Sequence, residues 1–163
     1  MTQWIALFRG INVGGKNILP MKKLKGALEE AGCTCVATYI QSGNVVFSHP
    51  ATDALDLGSS ITTVVLKNFG FEPRVLLMTC EQLNAARGNN PFPVEADAAK
   101  TLHVYFLAGP ATEVDFAALD AIKRDAEQYA LIDGVFYLLA PDGIGRSKLA
   151  TRVEKCLGVP ATA

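Results

Sequence analysis

Two short stretches of this chain combine glycine, which lets a backbone approach a ligand closely, with fixed positive charge. The first is Arg9-Gly-Ile-Asn-Val-Gly-Gly-Lys16-Asn17 and the second is Asp142-Gly-Ile-Gly-Arg146-Ser147-Lys148. Each leads into an expected helix, the first with Pro20 in its opening turn and the second with Ser147 as N-cap. A helix start offers unpaired N–H groups and the positive end of a dipole, so the chemistry suits phosphate. Arg9, Asn12, Gly14, Gly15, Lys16, Asn17, Arg146, Ser147 and Lys148 are therefore candidate ligand contacts. Neither stretch carries the Gly-Lys-Ser/Thr ending of a P-loop or a G-x-G-x-x-G fingerprint. The pattern thus names a class of ligand and no particular nucleotide. The plainer alternative is a pair of ordinary turns, with glycines at positive φ, turn-forming asparagines and solvated lysines.

Other chemistries find little support. Cys33, Cys35, Cys80 and Cys156 contain one C-x-C and no C-x-x-C, and only His49 and His103 could complete a ligand set, so no metal site and no cofactor are expected. The thiols read as free cysteines in a reducing compartment. No Ser/His/Asp arrangement is visible in the spacing, and the adjacent Glu29 and Glu30 point to different sides of a helix.

Positioning these residues falls to a recurring order of elements. Residues 3–9 read as a strand, 20–31 as a helix stopped by Gly32, and 36–41 and 44–48 as strands joined by a two-residue Ser42-Gly43 turn. A helix over 52–69, with Leu55, Ile61, Val65 and Leu66 as core candidates, and a strand over 75–78 follow. After a short helix at 81–87 the order restarts. Residues 101–107 are expected as a strand, 115–125 as a helix with Phe116, Leu119 and Ile122 on one face, 128–132 and 135–140 as strands around Asp133-Gly134, and 147–157 as a helix stopped by Gly158. The hairpins Tyr39-Ile-Gln-Ser-Gly-Asn-Val-Val-Phe47 and Tyr129-Ala-Leu-Ile-Asp-Gly-Val-Phe-Tyr137 align loosely as an internal repeat. The expected fold is α+β: two ferredoxin-like units of βαββαβ type packed as one compact protein. Residues 1–80 form the first, 81–100 a connecting helix and loop, and 101–163 the second.

The 163 residues are 50% hydrophobic and 19% charged, with a net charge of -1, which excludes a disordered chain. That near-neutral total conceals polarity along the chain: residues 1–50 carry +3, 51–145 carry -7 and 146–163 carry +3. The longest apolar runs fall far short of a membrane span, and the first residues lack a basic leader segment, so a cytoplasmic location without membrane partners is expected.

The stretches Arg9–Asn17, Leu19-Pro-Met21, Tyr39–Phe47 and Gly143-Ile-Gly-Arg-Ser-Lys-Leu149 closely resemble a bacterial family catalogued as domain of unknown function 1697. The resemblance implies a duplicated α+β fold in a cytosolic bacterial protein and brings no substrate with it. It also implies a longer tail, since members continue past the Thr-Ala ending into a segment containing Arg-Asn-Trp. Its motifs fall on the two basic turns and on the hairpin, which adds Gln41 and Asn44 to the candidate contacts.

The leading expectation is binding of a phosphate-bearing small molecule or nucleic acid. A second, by fold-level analogy, is an acylphosphatase-like hydrolase in which Arg9 stabilises charge on phosphoryl oxygens and Asn44 positions water, although the spacing does not reproduce that family's signature. A third is a protein-interaction domain whose basic patches meet an acidic surface.

Overall fold

Strict alternation of buried Trp4, Ala6 and Phe8 with half-buried Ile5, Leu7 and Arg9 makes Thr2–Arg9 a strand, β1, with one face on a core. The computed structural model describes residues 1–163, and the chain divides into two units, Met1–Ala85 and Ala86–Ala163. In the first unit β1 is followed by helix α1 (Met21–Glu30), strands β2 (Thr34–Tyr39) and β3 (Asn44–His49), helix α2 (Ala54–Phe69) and strand β4 (Arg74–Thr79). The sheet is wholly antiparallel in the order β2-β3-β1-β4. Trp4, Ala6 and Phe8 meet Val45 and Phe47 of β3, Leu24 and Leu28 of α1, and Ile61 and Val65 of α2 in one buried cluster.

The caps set where the helices begin and end. The Asp53 carboxylate accepts hydrogen bonds from the Leu55 and Asp56 N–H groups, and Gly70 closes α2 in the left-handed region. The β-branched run Ile61–Val65 stays helical because Ile61 and Val65, one turn apart, both enter the core. The buried stripe is Leu57, Gly58, Ile61 and Val65; Leu55, 76% exposed, and Leu66 lie off it and are not the core residues their periodicity suggested. Ala31 is likewise exposed, beyond the end of α1.

The hairpin departs from expectation. Strand β2 ends at Tyr39 rather than 41, and Ile40–Gly43 form a four-residue loop closed by the Tyr39/Asn44 pair. Gly43 is drawn against the core: its carbonyl accepts from the Phe8 N–H at 3.0 Å, and it sits at φ 84° where an added Cβ would lie 2.5 Å from Ile11 Cδ1 and 2.9 Å from Phe8 Cβ. Only glycine satisfies both the backbone and the space.

Helix α3 (Cys80–Gly88) leads into the second unit, in which a 3-10 turn over 96–101 precedes strand β5 (Leu102–Leu107), helix α4 (Phe116–Ile122), strands β6 (Gln128–Ile132) and β7 (Val135–Leu139), helix α5 (Lys148–Leu157) and the two-residue strand β8 (Ala161–Thr162). This sheet too is antiparallel, in the order β6-β7-β5-β8, so both units share one strand order. Asp133 and Gly134, both at positive φ, make the expected two-residue turn. Helix α4 is shorter than expected because Lys123 turns to extended backbone, and Phe116 is half exposed while Leu119 is buried. Buried Tyr137 donates its hydroxyl to the Ala86 carbonyl at 2.7 Å. No helix is long and apolar enough to cross a membrane.

Replacing Gly43 with Ala is expected to lower the unfolding free energy by about 2–4 kcal/mol, combining left-handed strain with overpacking. Gly15, at φ 72° with nothing within 4 Å of an added Cβ, should lose only about 1–2 kcal/mol on the same change. Equal costs in urea denaturation would contradict the close-packing account.

Candidate functional site

The loop after β1 is a small structure in its own right. Val13 and Lys16 pair across a turn made by Gly14 (φ 59°) and Gly15 (φ 72°), and the Asn12 N–H donates to the Asn17 carbonyl at 3.1 Å. Asn12 and Asn17 are themselves left-handed, at φ 53° and 51°, a region asparagine enters more readily than most residues. Their side chains hold the loop. Asn17 Nδ2 donates to the Gly10 carbonyl at 2.8 Å. Asn12 Nδ2 donates to the carbonyls of Leu19 and Gln41, both at 3.1 Å, and its Oδ1 accepts from the Leu19 N–H at 2.7 Å. The Gln41 bond crosses to the β2–β3 hairpin, so one side chain fixes the glycine-rich loop against the hairpin loop.

The sheet register then places the remaining residues of this end. On the face opposite the helices, Leu7 lies between Asn44 of β3 and Leu76 of β4, and Tyr39 lies beyond Asn44. Arg9, one step along, stands opposite Arg74, a directly facing pair of like charges. Lys16 is exposed on the loop, and Lys22 and Lys23 are exposed in the first turn of α1. Topology brings Lys67, in the last turn of α2, to the same end. Against these cations stands Glu72 in the α2–β4 connection, while Glu29, Glu30, Asp53, Asp56 and Glu81 all fall toward the other end of the unit. Lys25 pairs with Glu29 at 3.7 Å.

This arrangement runs against local electrostatics. The first turn of α1 contains no acidic residue, its N-cap Pro20 makes no side-chain hydrogen bond, and its two lysines sit at the positive end of the helix dipole. Sequence reasoning overlooked Lys22, Lys23 and Arg74. The first two were visible in Met21-Lys-Lys-Leu-Lys25, whereas Arg74 needed the β1/β4 register.

The second basic turn lies in the second unit. Ile144–Arg146 form a 3-10 turn entered through Gly143 at φ 91°. Ser147 is buried and its hydroxyl oxygen accepts the Ala150 N–H at 3.0 Å, which makes it the N-cap of α5; Arg146 and Lys148 flank it, exposed. The eleven sequence candidates thus separate into Arg9–Asn17, Gln41 and Asn44 in the first unit and Arg146–Lys148 in the second.

The second unit also holds an open cleft of about 380 Å³ lined by Phe92, Asp120, Lys123, Glu127, Gln128 and Tyr129. Tyr129 donates its hydroxyl to Asp120 at 2.7 Å, and buried Glu127 accepts from the Arg124 N–H at 2.9 Å. Burial, then the hydrogen bond to Asp120 and its charge, push the Tyr129 phenol up to about 12. No three His, Cys, Asp or Glu side chains converge as metal ligands. All four cysteines are free, with buried Cys33 raised by desolvation.

A family model described as protein of unknown function (DUF1697) matches residues 1–137. Among solved structures, the conserved bacterial protein SP0830 from Streptococcus pneumoniae is similar, with 25% identity and a TM-score of 0.69 over 95% of this chain and 82% of that one. No curated protein matches the chain.

Changing Asn12 to Ala is expected to cost about 2–3 kcal/mol, because it leaves the Leu19 N–H without its acceptor, and to accelerate hydrogen exchange at that amide; unchanged exchange would remove Asn12 from its positioning role. For Tyr129, the raised folded pKa means that stability present below the ordinary tyrosine range is lost as pH rises through about 12. Absorbance titration should show a late tyrosine step that shrinks in Tyr129→Phe, with buried Tyr137, also raised, supplying the remainder; an identical titration in that variant would contradict the raised Tyr129 phenol.

Proposed function

The chain belongs to the DUF1697 family, and on that premise we propose that it binds a phosphate-bearing ligand, a nucleotide or nucleic acid, at the cationic end of its first unit. One observation carries this reading: Lys22 and Lys23 occupy the positive end of the α1 dipole with no acidic residue or side-chain cap to compensate them. An anion at that end offsets both costs at once. Lys16 and the Gly14–Gly15 turn supply further charge and open backbone, and Arg9, Gln41 and Asn44 border the same end. Asn12 and Asn17 act by holding the loop in place.

Arg146, Ser147 and Lys148 are proposed as a second, independent anion-facing turn, with Ser147 contributing the helix start. The shared strand order supports a duplicated ferredoxin-like architecture, with units at 1–80 and 101–163 joined by 81–100. Four free cysteines fit a reducing, cytoplasmic setting. The register that puts Asn44 beside Leu7 on the face shared with Arg9 favours the acylphosphatase-like hydrolase as the second reading, tested by acyl-phosphate turnover.

The test is thermal unfolding with inorganic phosphate, mononucleotides, dinucleotides and sugar phosphates. A ligand at about 100 times its Kd adds ~2.7 kcal/mol, or roughly 5–11 °C for a chain of this length. The shift should shrink in Lys16→Ala and further in Lys16→Ala/Lys22→Ala, while Arg146→Ala reports the second turn separately. No shift with any of these anions would overturn the proposal.

A further inference from the structure

The cationic end of the first unit carries more than charge. Tyr39 and Ile40 are 69% and 65% exposed, and Val13 and Ile18 on the neighbouring loop are similarly open. Tyr39 ends β2, and the other three lie on the two loops that Asn12 ties together. Ile40 adopts φ 46°, a left-handed conformation that a β-branched residue takes only when its surroundings impose it. The fold therefore presents an aromatic ring and aliphatic side chains to solvent on braced loops, at the same end of the unit as exposed Lys16, Lys22, Lys23 and Arg74.

The spacing distinguishes between anions. Tyr39 and Arg74 share the open face of the sheet but are separated by β3 and β1, so their backbones lie roughly 16 Å apart at ordinary strand spacing and rise. That span exceeds the reach of a single phosphate group. A ligand meeting both the apolar platform and the scattered cations must be extended, with anionic groups at intervals and flat apolar groups between them. Unpaired bases on a phosphate backbone have that chemistry, and base faces stack on tyrosine without regard to sequence.

We infer that the ligand of the first unit is a single-stranded nucleic acid, its backbone along Lys16, Lys22, Lys23 and Arg74 and a base stacked on Tyr39. This inference rests on the phosphate-binding reading above and narrows it. A duplex hides its base faces and cannot use Tyr39.

The experiment is fluorescence polarisation of a labelled twelve-residue oligothymidylate titrated with the whole chain, beside an equal-length duplex and competing pyrophosphate and ADP. Four phosphate contacts predict binding that weakens about 50-fold between 50 and 200 mM salt. Tyr39→Ala should weaken it about five-fold or more, Tyr39→Phe should retain it, and the melting temperature of both variants checks the fold. Arg74→Ala should flatten the salt dependence. Oligothymidylate binding that ignores Tyr39→Ala, or a duplex bound equally well, would overturn the inference. Stabilisation by pyrophosphate or ADP without oligothymidylate binding would overturn it while leaving the phosphate reading standing; silence from every anion would overturn both.

Discussion

The Asn12 side chain is the constraint on which the first unit's candidate site depends. It uses its oxygen on the Leu19 N–H and its amide on the Leu19 and Gln41 carbonyls, so it satisfies fully buried Leu19 and bridges to the hairpin in one step. Without that bridge, the glycine-rich loop and the hairpin loop would be two separate excursions from the sheet. With it, Lys16, Val13 and Ile18 are held in fixed relation to Tyr39 and Ile40. Gly43 completes the brace from beneath, close to Ile11 and Phe8.

Charge follows topology in this unit. Strand β1 and helix α2 end, and helix α1 and strand β4 begin, at the same edge, so residues far apart in sequence deliver cations to one place while Glu29, Glu30, Asp53 and Asp56 collect at the other. The total over residues 1–85 is only +1, and a net figure hides the separation entirely. Lysines at a helix N-terminus oppose local preferences. Departures of that kind concentrate where binding, rather than stability, shapes a surface.

What the sequence made legible was what local chemistry decides. Ser147 as a cap, Gly158 as a helix stop, and the Asp133-Gly134 turn all follow from neighbouring residues, and each stands as expected. Long-range placement was less readable. The strand pattern through Tyr39-Ile-Gln41 gave no sign that Gly43 would be pulled to the core and end β2 early, exposing Tyr39 and Ile40. Strand β8, with two residues, is too short to announce itself. Arg74 became a neighbour of Arg9 only through strand register, and Leu55 and Leu66 fell off the buried stripe once Asp53 fixed the start of α2.

The account therefore joins a braced pair of loops to a helix start that carries Lys22 and Lys23 with no acidic residue in its first turn, and proposes a phosphate-bearing ligand for that end. Its most direct test is amide chemical-shift mapping of the whole chain titrated with pyrophosphate. The account predicts saturable shifts confined to Gly14–Lys16, Met21–Lys23, Tyr39–Asn44 and Arg74, with a second, separable set at Arg146–Lys148. Shifts scattered over surface lysines without saturation, or none at the first unit's cationic end, would contradict it.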